Sequence, residues 1–530
     1  MSLSSSAHPV PGFLIHSPLS HFAVTTPSHP ALIFQGEEMS YASLHTKSNQ
    51  MAHALINAGA VPGDRIGIFV HKGFTMGVAI YAILKAGCVF VPIDPFMPAD
   101  RLSFIINDCQ IKLLISSDAL IKTLDLIKVK HPLQVIGCER LDSFPTISAV
   151  NLGSQPETDP DVVITDQYLG YIMYTSGSTG EPKGMMHTHS GSVCYANWGA
   201  THVSLTGNDR VASHAPLHFD LSIFDFFSTL RVGATVVLVP EAVTRFPASW
   251  TKLMQDEGIT VVFTVPYTLI TMIESGAMDQ RELSSLRWVL YGGEPYPPRQ
   301  LRLLMDALPK TNITNVYGPA EAPSCTCYDI PRPLPAGDEP LPIGLVSRNS
   351  EDIIINGDDE ECDVMEPGEL CIRSSTLTRG YWNRPDLNER AFLYRPGFGP
   401  FPHVYFRTGD KVFRDSNGLL RFLGRLGRMV KTRGHRVELD DVEAAIASMN
   451  GVLEVAAIAI ADKHETAQIV AAICIDPSRV KGSPDVLEYV RGKLPPYAVP
   501  RELRVVSGLP HTSSGKVDRK QVLEQWQEKS

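Results

Sequence analysis

A loop rich in hydroxyl groups and glycines follows an apolar, β-like run in the segment YIMYTSGSTGEPKG, residues 171–184. Hydroxyl groups donate hydrogen bonds, glycines let backbone N–H groups approach an oxygen closely, and a lysine adds positive charge. Together these features predict a cradle for a polyphosphate. The residues expected to form it are Thr175, Ser176, Gly177, Ser178, Thr179, Gly180 and Lys183.

Other interpretations of this region are disfavoured. The spacing does not match the Walker pattern GxxxxGK[ST], so the chemistry of P-loop nucleotide hydrolases is not indicated. A flexible Ser/Gly linker would not usually follow a buried strand directly and include Pro182-Lys183. His187 and His189 have no cysteine or acidic partner at ligand spacing, so we favour ordinary loop histidines over a metal site.

The elements that must position this loop alternate between two types. Apolar β-rich runs such as VVFTV (261–265) alternate with stretches of helical period, which is typical of layered α/β folds. Short strands punctuated by Gly, Pro and Asn predict a small β-subdomain over 355–422. We therefore predict an α/β protein. Its large N-terminal domain, residues 1–426, has layered α/β subdomains plus the β-subdomain, and a small α+β C-terminal domain covers 427–530.

Composition limits the possible functions. The 530 residues are 44% apolar and 20% charged, which is typical of a water-soluble globular protein. A net charge of -10 and the lack of long Lys or Arg runs argue against nucleic-acid binding. The apolar segment 67–91 is interrupted by charged residues, so we expect neither a membrane span nor an export signal. Nine cysteines without CxxC spacing indicate a reducing, cytoplasmic setting.

Further motifs occur in order across almost the whole chain. They read MSYASL at Met39, LKAGCVFVPID at Leu84, YTSGSTGEPKG at Tyr174, FDLSIFD at Phe219, NVYGPAEA at Asn315, GELCIRS at Gly368, RGYWNRPDLNERAF at Arg379, YFRTGD at Tyr405, GRLGRMVKTRGHRVEL at Gly424, LPPYAVP at Leu494 and SSGKVDRK at Ser513. This set resembles the adenylate-forming superfamily of acyl-CoA synthetases, luciferases and nonribosomal peptide synthetase adenylation domains. The resemblance implies that a carboxylate is joined to AMP at the expense of ATP, with Mg²⁺ and release of pyrophosphate.

The resemblance assigns roles to individual residues. Lys516 would reach the carboxylate and the α-phosphate, where its charge stabilises the transition state; the alternative is a solvated lysine on a turn. Asp410 would accept hydrogen bonds from both ribose hydroxyls, helped by Arg425. Glu321 would bind Mg²⁺, unless it is a capping or salt-bridge residue. Tyr317 would stack on adenine, or serve as a core aromatic. Other residues expected to contact the nucleotide are Gly292, Gly293, Glu294, Asn315, Gly318 and Phe422.

A second step is implied, in which a phosphopantetheine thiol takes the acyl group. In the family the C-terminal domain is mobile and rotates between the two steps. The hinge position is Gly427, where relatives usually have Asp or Lys; glycine widens the accessible dihedral angles. After rotation, the segment VKTRGHRVEL would present Gly434 to the pantetheine channel.

The resemblance also indicates the acid that is activated. Asp220 matches the residue that holds the substrate ammonium in amino-acid-activating members, which gives a buried carboxylate a cation; the alternative is a helix N-cap. The mainly apolar pocket argues against charged substrate side chains. The expected substrate-binding residues are Phe219, Asp220, Leu221, Phe224, Thr264, Leu290, Gly292, Val316, Ser324, Cys325 and Lys516.

This pattern looks most like stand-alone prolyl-AMP ligases of the kind that feed pyrrole and anatoxin pathways, so proline is the expected substrate. FDLSIFD also resembles D-alanine:carrier-protein ligases, which makes D-alanine the alternative. The chain ends shortly after Lys516 without a Gly-x-Ser carrier motif, so we expect the carrier to be a separate protein. An acyl-CoA synthetase is disfavoured by Asp220, and a nucleotide-binding pseudoenzyme by the presence of the full set of motif residues.

Overall fold

The structure, a computed structural model, describes residues 12–139, 141–175, 182–337, 339–462, 466–510 and 517–528. The helices are α1 (Ser17–Thr25), α2 (Tyr41–Asn57), α3 (Phe74–Lys85), α4 (Ala99–Asp108), α5 (Ile121–Leu124), α6 (His189–His202), α7 (Leu221–Ile223), α8 (Glu241–Thr244), α9 (Pro247–Asp256), α10 (Pro266–Ser275), α11 (Pro298–Ala307), α12 (Pro385–Ala391), α13 (Leu439–Ala447), α14 (Ser483–Arg491) and α15 (Arg519–Glu528).

The strands before residue 330 are β1 (Pro30–Phe34), β2 (Glu37–Ser40), β3 (Arg65–Ile68), β4 (Val89–Pro92), β5 (Leu113–Ile115), β6 (Gln134–Ile136), β7 (Thr146–Ile147), β8 (Leu169–Thr175), β9 (Lys183–Thr188), β10 (Arg210–Ser213), β11 (Thr235–Leu238), β12 (Val261–Thr264), β13 (Trp288–Gly292), β14 (Asn312–Tyr317) and β15 (Thr326–Asp329). The later strands are β16 (Leu345–Val346), β17 (Ser350–Ile355), β18 (Gly368–Ser374), β19 (Phe392–Phe398), β20 (Phe401–Arg414), β21 (Leu420–Arg425), β22 (Met429–Thr432), β23 (His435–Glu438), β24 (Val452–Ala461), β25 (Ala467–Ile475) and β26 (Glu502–Val505).

Two mainly parallel sheets build most of the N-terminal part. The nine-stranded sheet has the order β16-β15-β14-β13-β12-β10-β11-β1-β2, and the seven-stranded sheet the order β7-β6-β5-β3-β4-β8-β9. Strands β4, β11 and β12 are buried along their whole length, as expected for parallel strands covered on both faces. The predicted α/β class is confirmed.

One hydrophobic core joins the two sheets. It includes Phe90 of the seven-stranded sheet and Val236 and Phe263 of the nine-stranded sheet. Helix α3 lies within this core, because its sequence FTMGVAIYAILK is apolar on every side and ten of its residues are buried. The two sheets therefore form a single packed unit that can hold their strand ends in fixed positions.

Two smaller units complete the chain. Strands β17 to β21 form an antiparallel five-stranded sheet, which corresponds to the predicted β-subdomain. After it, the β22–β23 hairpin, the three-stranded sheet β24-β25-β26 and helices α13 to α15 form an α+β unit with its own buried clusters. The predicted boundary at residue 427 stays a prediction. Among the described residues, every helix is too short or too polar to cross a membrane.

Candidate functional site

A cavity lies at the carboxyl ends of β12, β13 and β14, which are adjacent and parallel. Open α/β sheets bind their ligands at this edge. Gly318 follows β14 and lines the cavity, and an added Cβ there would lie 2.4 Å from the Ser324 backbone nitrogen. The chain can therefore turn closely around the cavity only because this residue has no side chain.

Asp410, on β20, is a buried carboxylate that is bonded to the cavity residue Arg425. Its Oδ2 accepts a hydrogen bond of 2.5 Å from the Tyr317 hydroxyl, and its Oδ1 accepts one of 2.8 Å from Arg425 Nη1. Arg425 also donates to the Thr408 carbonyl and lines the cavity. Both carboxylate oxygens thus have donors, and the ring of Tyr317, itself 7% exposed, packs near Phe422.

Glu321 is a fully buried carboxylate with three cationic or hydroxyl partners. Arg436 Nη1 lies 2.9 Å from its Oε2, the Tyr381 hydroxyl donates to its Oε1 at 2.6 Å, and Lys183 Nζ lies 3.5 Å from Oε1. Burial opposes ionisation, but Arg436 and Lys183 outweigh it and hold the pKa of Glu321 well below its ordinary value. Glu321 is therefore ionised, and Lys183 lies beside it.

Asp220 is the third carboxylate of the site, and it is half-buried. It lines the cavity immediately before α7, where it makes no side-chain cap to the helix, and no described residue forms an ion pair with it. Burial raises the pKa of Asp220 to about 6, although the Lys431 ammonium acts in the opposite direction. A cationic group on a ligand could pair with the Asp220 carboxylate.

The β22–β23 hairpin of the C-terminal unit reaches into the site. Lys431, Gly434 and Arg436 all line the cavity. Lys431 Nζ lies 5.9 Å from the centre of the Tyr317 ring, and Gly434 approaches Gly293 closely enough that a Cβ at Gly293 would lie 3.9 Å from it. Gly434 therefore lies at the cavity, and its expected place along a pantetheine channel stays a prediction.

Gly427, the predicted hinge, lies between two arginine clamps. On one side Arg425 is bonded to Asp410, and on the other Arg428 donates to Glu443 at 2.7 Å within the C-terminal unit. The backbone N–H of Leu426 is also fixed, to the Gly409 carbonyl. Gly427 is therefore the first residue after the N-terminal contacts and the last before the C-terminal ones, so rotation can be concentrated there.

The other predicted nucleotide residues have different positions. Thr175, Gly292, Gly293 and Gly318 line the cavity. Glu294 is buried beside it, and burial raises its pKa to about 7. Asn315 donates to the Pro342 carbonyl. The residues predicted as ligands between 176 and 180, and Lys516, lie outside the described residues.

The predicted substrate residues that the structure describes have three kinds of position. Phe219, Asp220, Leu221, Gly292, Val316 and Ser324 line the cavity. Phe224, Leu290 and Cys325 are buried behind the wall, and Phe224 packs edge-to-face on the cavity residue Phe263. Thr264 lies on the opposite face of β12, with its Oγ1 3.2 Å from His214 Nδ1, because side chains alternate along a strand.

Four site residues were not identified individually from the sequence: Phe263, Tyr381, Lys431 and Arg436. Strand alternation places Phe263, and not Thr264, in the wall beside Asp220. The other three lie within motifs quoted above, RGYWNRPDLNERAF and VKTRGHRVEL. The sequence did contain a signal for Lys431 and Arg436: a buried Glu321 requires cationic partners, and VKTRGHRVEL is rich in cationic residues.

Comparison with known proteins agrees with this geometry. A family model described as AMP-binding enzyme matches residues 19–382, and one described as AMP-binding enzyme C-terminal domain matches residues 441–516. The chain belongs to the AMP-binding enzyme family. The AMP-binding enzyme described here is therefore an adenylate-forming, AMP-forming ligase that uses ATP, and the resemblance inferred from its motifs is confirmed.

This AMP-binding enzyme is similar to several characterised proteins. It is 30% identical over 508 residues to an L-proline--[L-prolyl-carrier protein] ligase of Pseudomonas fluorescens, covering 96% of this chain and 98% of that one. It is 31% identical to tyrocidine synthase 1 of Brevibacillus parabrevis, covering 96% of this chain but 45% of the synthase. The adenylation domain AlmE of Vibrio cholerae, solved with glycyl-adenosine-5'-phosphate, superposes with a TM-score of 0.84 at 22% identity and 98% coverage of both chains, which shows a shared fold.

If Asp410 holds the ribose, its charge should matter to nucleotide affinity more than to folding. We expect Asp410→Asn to weaken ATP binding about tenfold to a hundredfold, because a charge-assisted hydrogen bond is worth about 1.5–3 kcal/mol. Isothermal titration calorimetry with ATP measures this. The matched control is Asp352→Asn, which removes a carboxylate paired with Arg414 in the same sheet but away from the cavity. Equal ATP affinity in the two variants would contradict the assignment.

Proposed function

We propose that this enzyme activates an amino acid, with L-proline as the favoured substrate, and transfers it to the phosphopantetheine thiol of a separate carrier protein. The observation that carries the proposal is Asp220, a half-buried carboxylate that lines the cavity without an ion-pair partner among the described residues. An amino-acid ammonium supplies the missing charge. Fatty and aryl acids carry no ammonium group that could pair with Asp220.

The first step needs positioning and charge more than acid–base chemistry. The amino-acid carboxylate is already ionised at neutral pH, so its oxygen attacks the α-phosphorus directly. The bond from the α-phosphorus to the bridging oxygen breaks, and pyrophosphate leaves. Lys183 and Lys516 offset the charge on the phosphates and on the reacting oxygens, and Asp410 with Arg425 holds the ribose.

A magnesium ion fits this arrangement through a single protein carboxylate. Mg²⁺ is commonly bound by one or two carboxylates together with substrate phosphates and water. Glu321 is ionised and buried beside Lys183, so it would supply such a ligand if Arg436, which now pairs with it, moved away with the C-terminal unit. The ion would neutralise phosphate charge and assist the departure of pyrophosphate.

The second step exchanges AMP for sulfur. The thiolate attacks the acyl carbon, the C–S bond forms, and the C–O bond to AMP breaks. In this structure the β22–β23 hairpin faces the cavity, and its Arg436 pairs with Glu321. This arrangement suits the stage of the reaction after pyrophosphate and its metal have left. Rotation at Gly427 would interchange this hairpin with the segment that carries Lys516.

Two features support a small apolar substrate such as proline. The wall beside Asp220 is formed by Phe263, Val265 and Val316, so a charged substrate side chain would lie unpaired against it. The similar protein from Pseudomonas fluorescens is named as a prolyl-carrier protein ligase and matches over nearly its full length. D-Alanine is the alternative, because it is also small and carries the ammonium that Asp220 requires.

The substrate is tested by ATP–pyrophosphate exchange with a panel of amino acids. We expect the strongest exchange with L-proline and weak or no exchange with lysine, arginine, aspartate and glutamate. Exchange with D-alanine but not with proline would reject the substrate assignment and keep the amino-acid ligase. Exchange that requires no amino acid, or only a fatty or aryl acid, would reject both.

Lys516→Ala is the control for this exchange assay. It removes the charge proposed to act on the α-phosphate, so exchange should fall severely. ATP affinity should stay within about twofold, because the Lys516 ammonium is proposed to act in the transition state. Exchange at the wild-type rate in this variant would contradict the role of Lys516.

The ionisation of Asp220 predicts a pH dependence. Its pKa in the free enzyme is raised to about 6, so the carboxylate is ionised above that pH and becomes neutral as pH falls through it. The KM for proline should therefore rise by up to about tenfold per pH unit below pH 6, because the proline ammonium loses its partner. The experiment measures KM at saturating ATP between pH 5 and 8.

Asp220→Asn is the matched variant for the pH series. It keeps the shape of the side chain and cannot ionise, so its KM should be high at every pH and nearly independent of pH. A wild-type KM that does not change between pH 5 and 8, or a variant with the same profile as the wild type, would contradict the proposed role.

A further inference from the structure

A second cavity adjoins the one that holds Asp220. It has a volume of about 670 Å³ and shares six lining residues with the first: His218, Phe219, Leu221, Val265, Gly434 and Tyr497. Exposed side chains, among them Phe96, form part of its wall, so it also reaches the surface. We call it the acceptor cleft, because a thiol can approach the acyl carbon through it from outside.

Most charged groups of the acceptor cleft are already satisfied by the protein. Lys72 Nζ donates to the carbonyls of Ser213, His214 and Ala215 at 2.8–3.1 Å. Glu241 accepts from the Lys72 backbone N–H, and its Oε1 lies 3.8 Å from His71. Asp94 accepts from the Phe96 backbone N–H and lies 3.9 Å from His218 Nε2.

The histidines of the acceptor cleft contribute little positive charge. Burial lowers the pKa of His214 and of His435 to about 3, and it also lowers the pKa of His218. All three are neutral at physiological pH. The permanent positive charge available to a ligand in this cleft therefore comes from its arginines.

Two arginines, Arg245 and Arg433, line the acceptor cleft from different parts of the chain. Arg245 follows α8 in the N-terminal part, and its guanidinium carbon lies 5.4 Å from the centre of the Phe96 ring. Arg433 is in the turn of the β22–β23 hairpin and lies 5.4 Å from the centre of the Tyr267 ring. Both side chains are exposed, and neither forms an ion pair with a described residue. Each guanidinium is oriented by an aromatic ring and keeps its donors for a ligand.

We infer that Arg245 and Arg433 bind the phosphate group of the thiol acceptor's pantetheine arm. The inference rests on the proposed function and names residues for its second step. Guanidinium groups suit phosphate oxygens because they offer paired N–H donors, and an anion between the two arginines would neutralise both charges. The arm would then run along the shared wall, past His218 and Gly434, to the acyl carbon near Asp220.

The inference also explains why the acceptor is recognised only at the second step. Arg433 belongs to the hairpin that faces the cavity in this structure, whereas Arg245 belongs to the N-terminal part. The two guanidinium groups line one cleft only while the hairpin is in this position. The phosphate would thus stabilise the arrangement needed for transfer, and it would have no effect on adenylate formation.

The test compares two small thiols, phosphopantetheine and pantetheine, which differ by the phosphate alone. Acyl transfer from the amino acid with the strongest exchange is followed by mass spectrometry of the thioester. We expect the wild type to prefer phosphopantetheine by about tenfold or more in kcat/KM, as charge-assisted hydrogen bonds predict. In the double variant Arg245→Glu/Arg433→Glu this preference should disappear, while the rate with pantetheine changes less than about twofold.

Two control variants accompany this comparison. Arg299→Glu/Arg348→Glu makes the same change in net charge at two exposed arginines away from the cleft, and the phosphate preference should remain. Arg245→Lys/Arg433→Lys keeps the charges and should restore part of the preference. ATP–pyrophosphate exchange should stay at the wild-type level in all of these variants, because the first step does not use the cleft.

The outcomes separate this inference from the proposed function. A fall in rate that is equal for the two thiols, or a preference that survives the charge reversal, would overturn the role of the arginines while leaving the enzyme an acyl-transferring ligase. Absence of transfer to either thiol despite normal exchange would overturn the proposed second step itself. The kcat/KM with CoA should be no higher than that with phosphopantetheine if the natural acceptor is a carrier protein. A tenfold preference for CoA would contradict a carrier protein as the acceptor.

Discussion

The site depends on three carboxylates at one cavity that need positive charge from different sources: Asp220 lines the cavity, whereas Asp410 and Glu321 are buried behind Arg425 and Arg436, which line it. Burial of an ionised carboxylate costs several kcal/mol unless a cation or hydrogen-bond donors compensate. Asp410 is compensated within the N-terminal part by Arg425 and the Tyr317 hydroxyl, and Glu321 by Arg436 from the hairpin. Asp220 forms no ion pair with a described residue, and burial raises its pKa to about 6, although the Lys431 ammonium and the backbone N–H of Leu221 act in the opposite direction. This carboxylate is the one with which the substrate ammonium is proposed to pair.

The same constraint couples the C-terminal unit to the reaction. With Arg436 on Glu321, the hairpin is held against the cavity by an ion pair 115 residues apart in sequence. In the proposed reaction, a metal ion on Glu321 would need the place that Arg436 occupies, so the hairpin would have to move away before the metal binds. Gly427, which lies between Arg425 bonded to Asp410 and Arg428 bonded to Glu443, is the proposed pivot of that movement.

Much of this architecture can be predicted from the sequence, because it depends on local patterns. The mainly apolar runs of β12 and α3 predict buried elements of a layered α/β fold, and the motif YTSGSTGEPKG places hydroxyls, glycines and Lys183 after a strand. The resemblance then points to Asp220, which lines the cavity, and to Asp410 and Glu321, which are bonded to the cavity residues Arg425 and Arg436. Asp220 immediately precedes α7, Glu321 lies in the loop between β14 and β15, and Asp410 lies within β20.

Other features depend on contacts between distant segments and were not predicted. Whether Phe263 or Thr264 faces the cavity depends on the phase of one short strand, and a shift of one residue reverses the answer. The pairing of Glu321 with Arg436 depends on the position of the C-terminal unit relative to the sheets. The acceptor cleft likewise takes Arg245 and Arg433 from segments almost two hundred residues apart.

The most direct test of the central claim is a crystal structure with the non-hydrolysable adenylate analogue 5'-O-(L-prolylsulfamoyl)adenosine. Asp220 should accept a hydrogen bond from the prolyl amine at about 3 Å, with the ribose hydroxyls on Asp410 and the prolyl ring against Phe263. An analogue bound elsewhere, or one with its amine directed away from Asp220, would contradict the account.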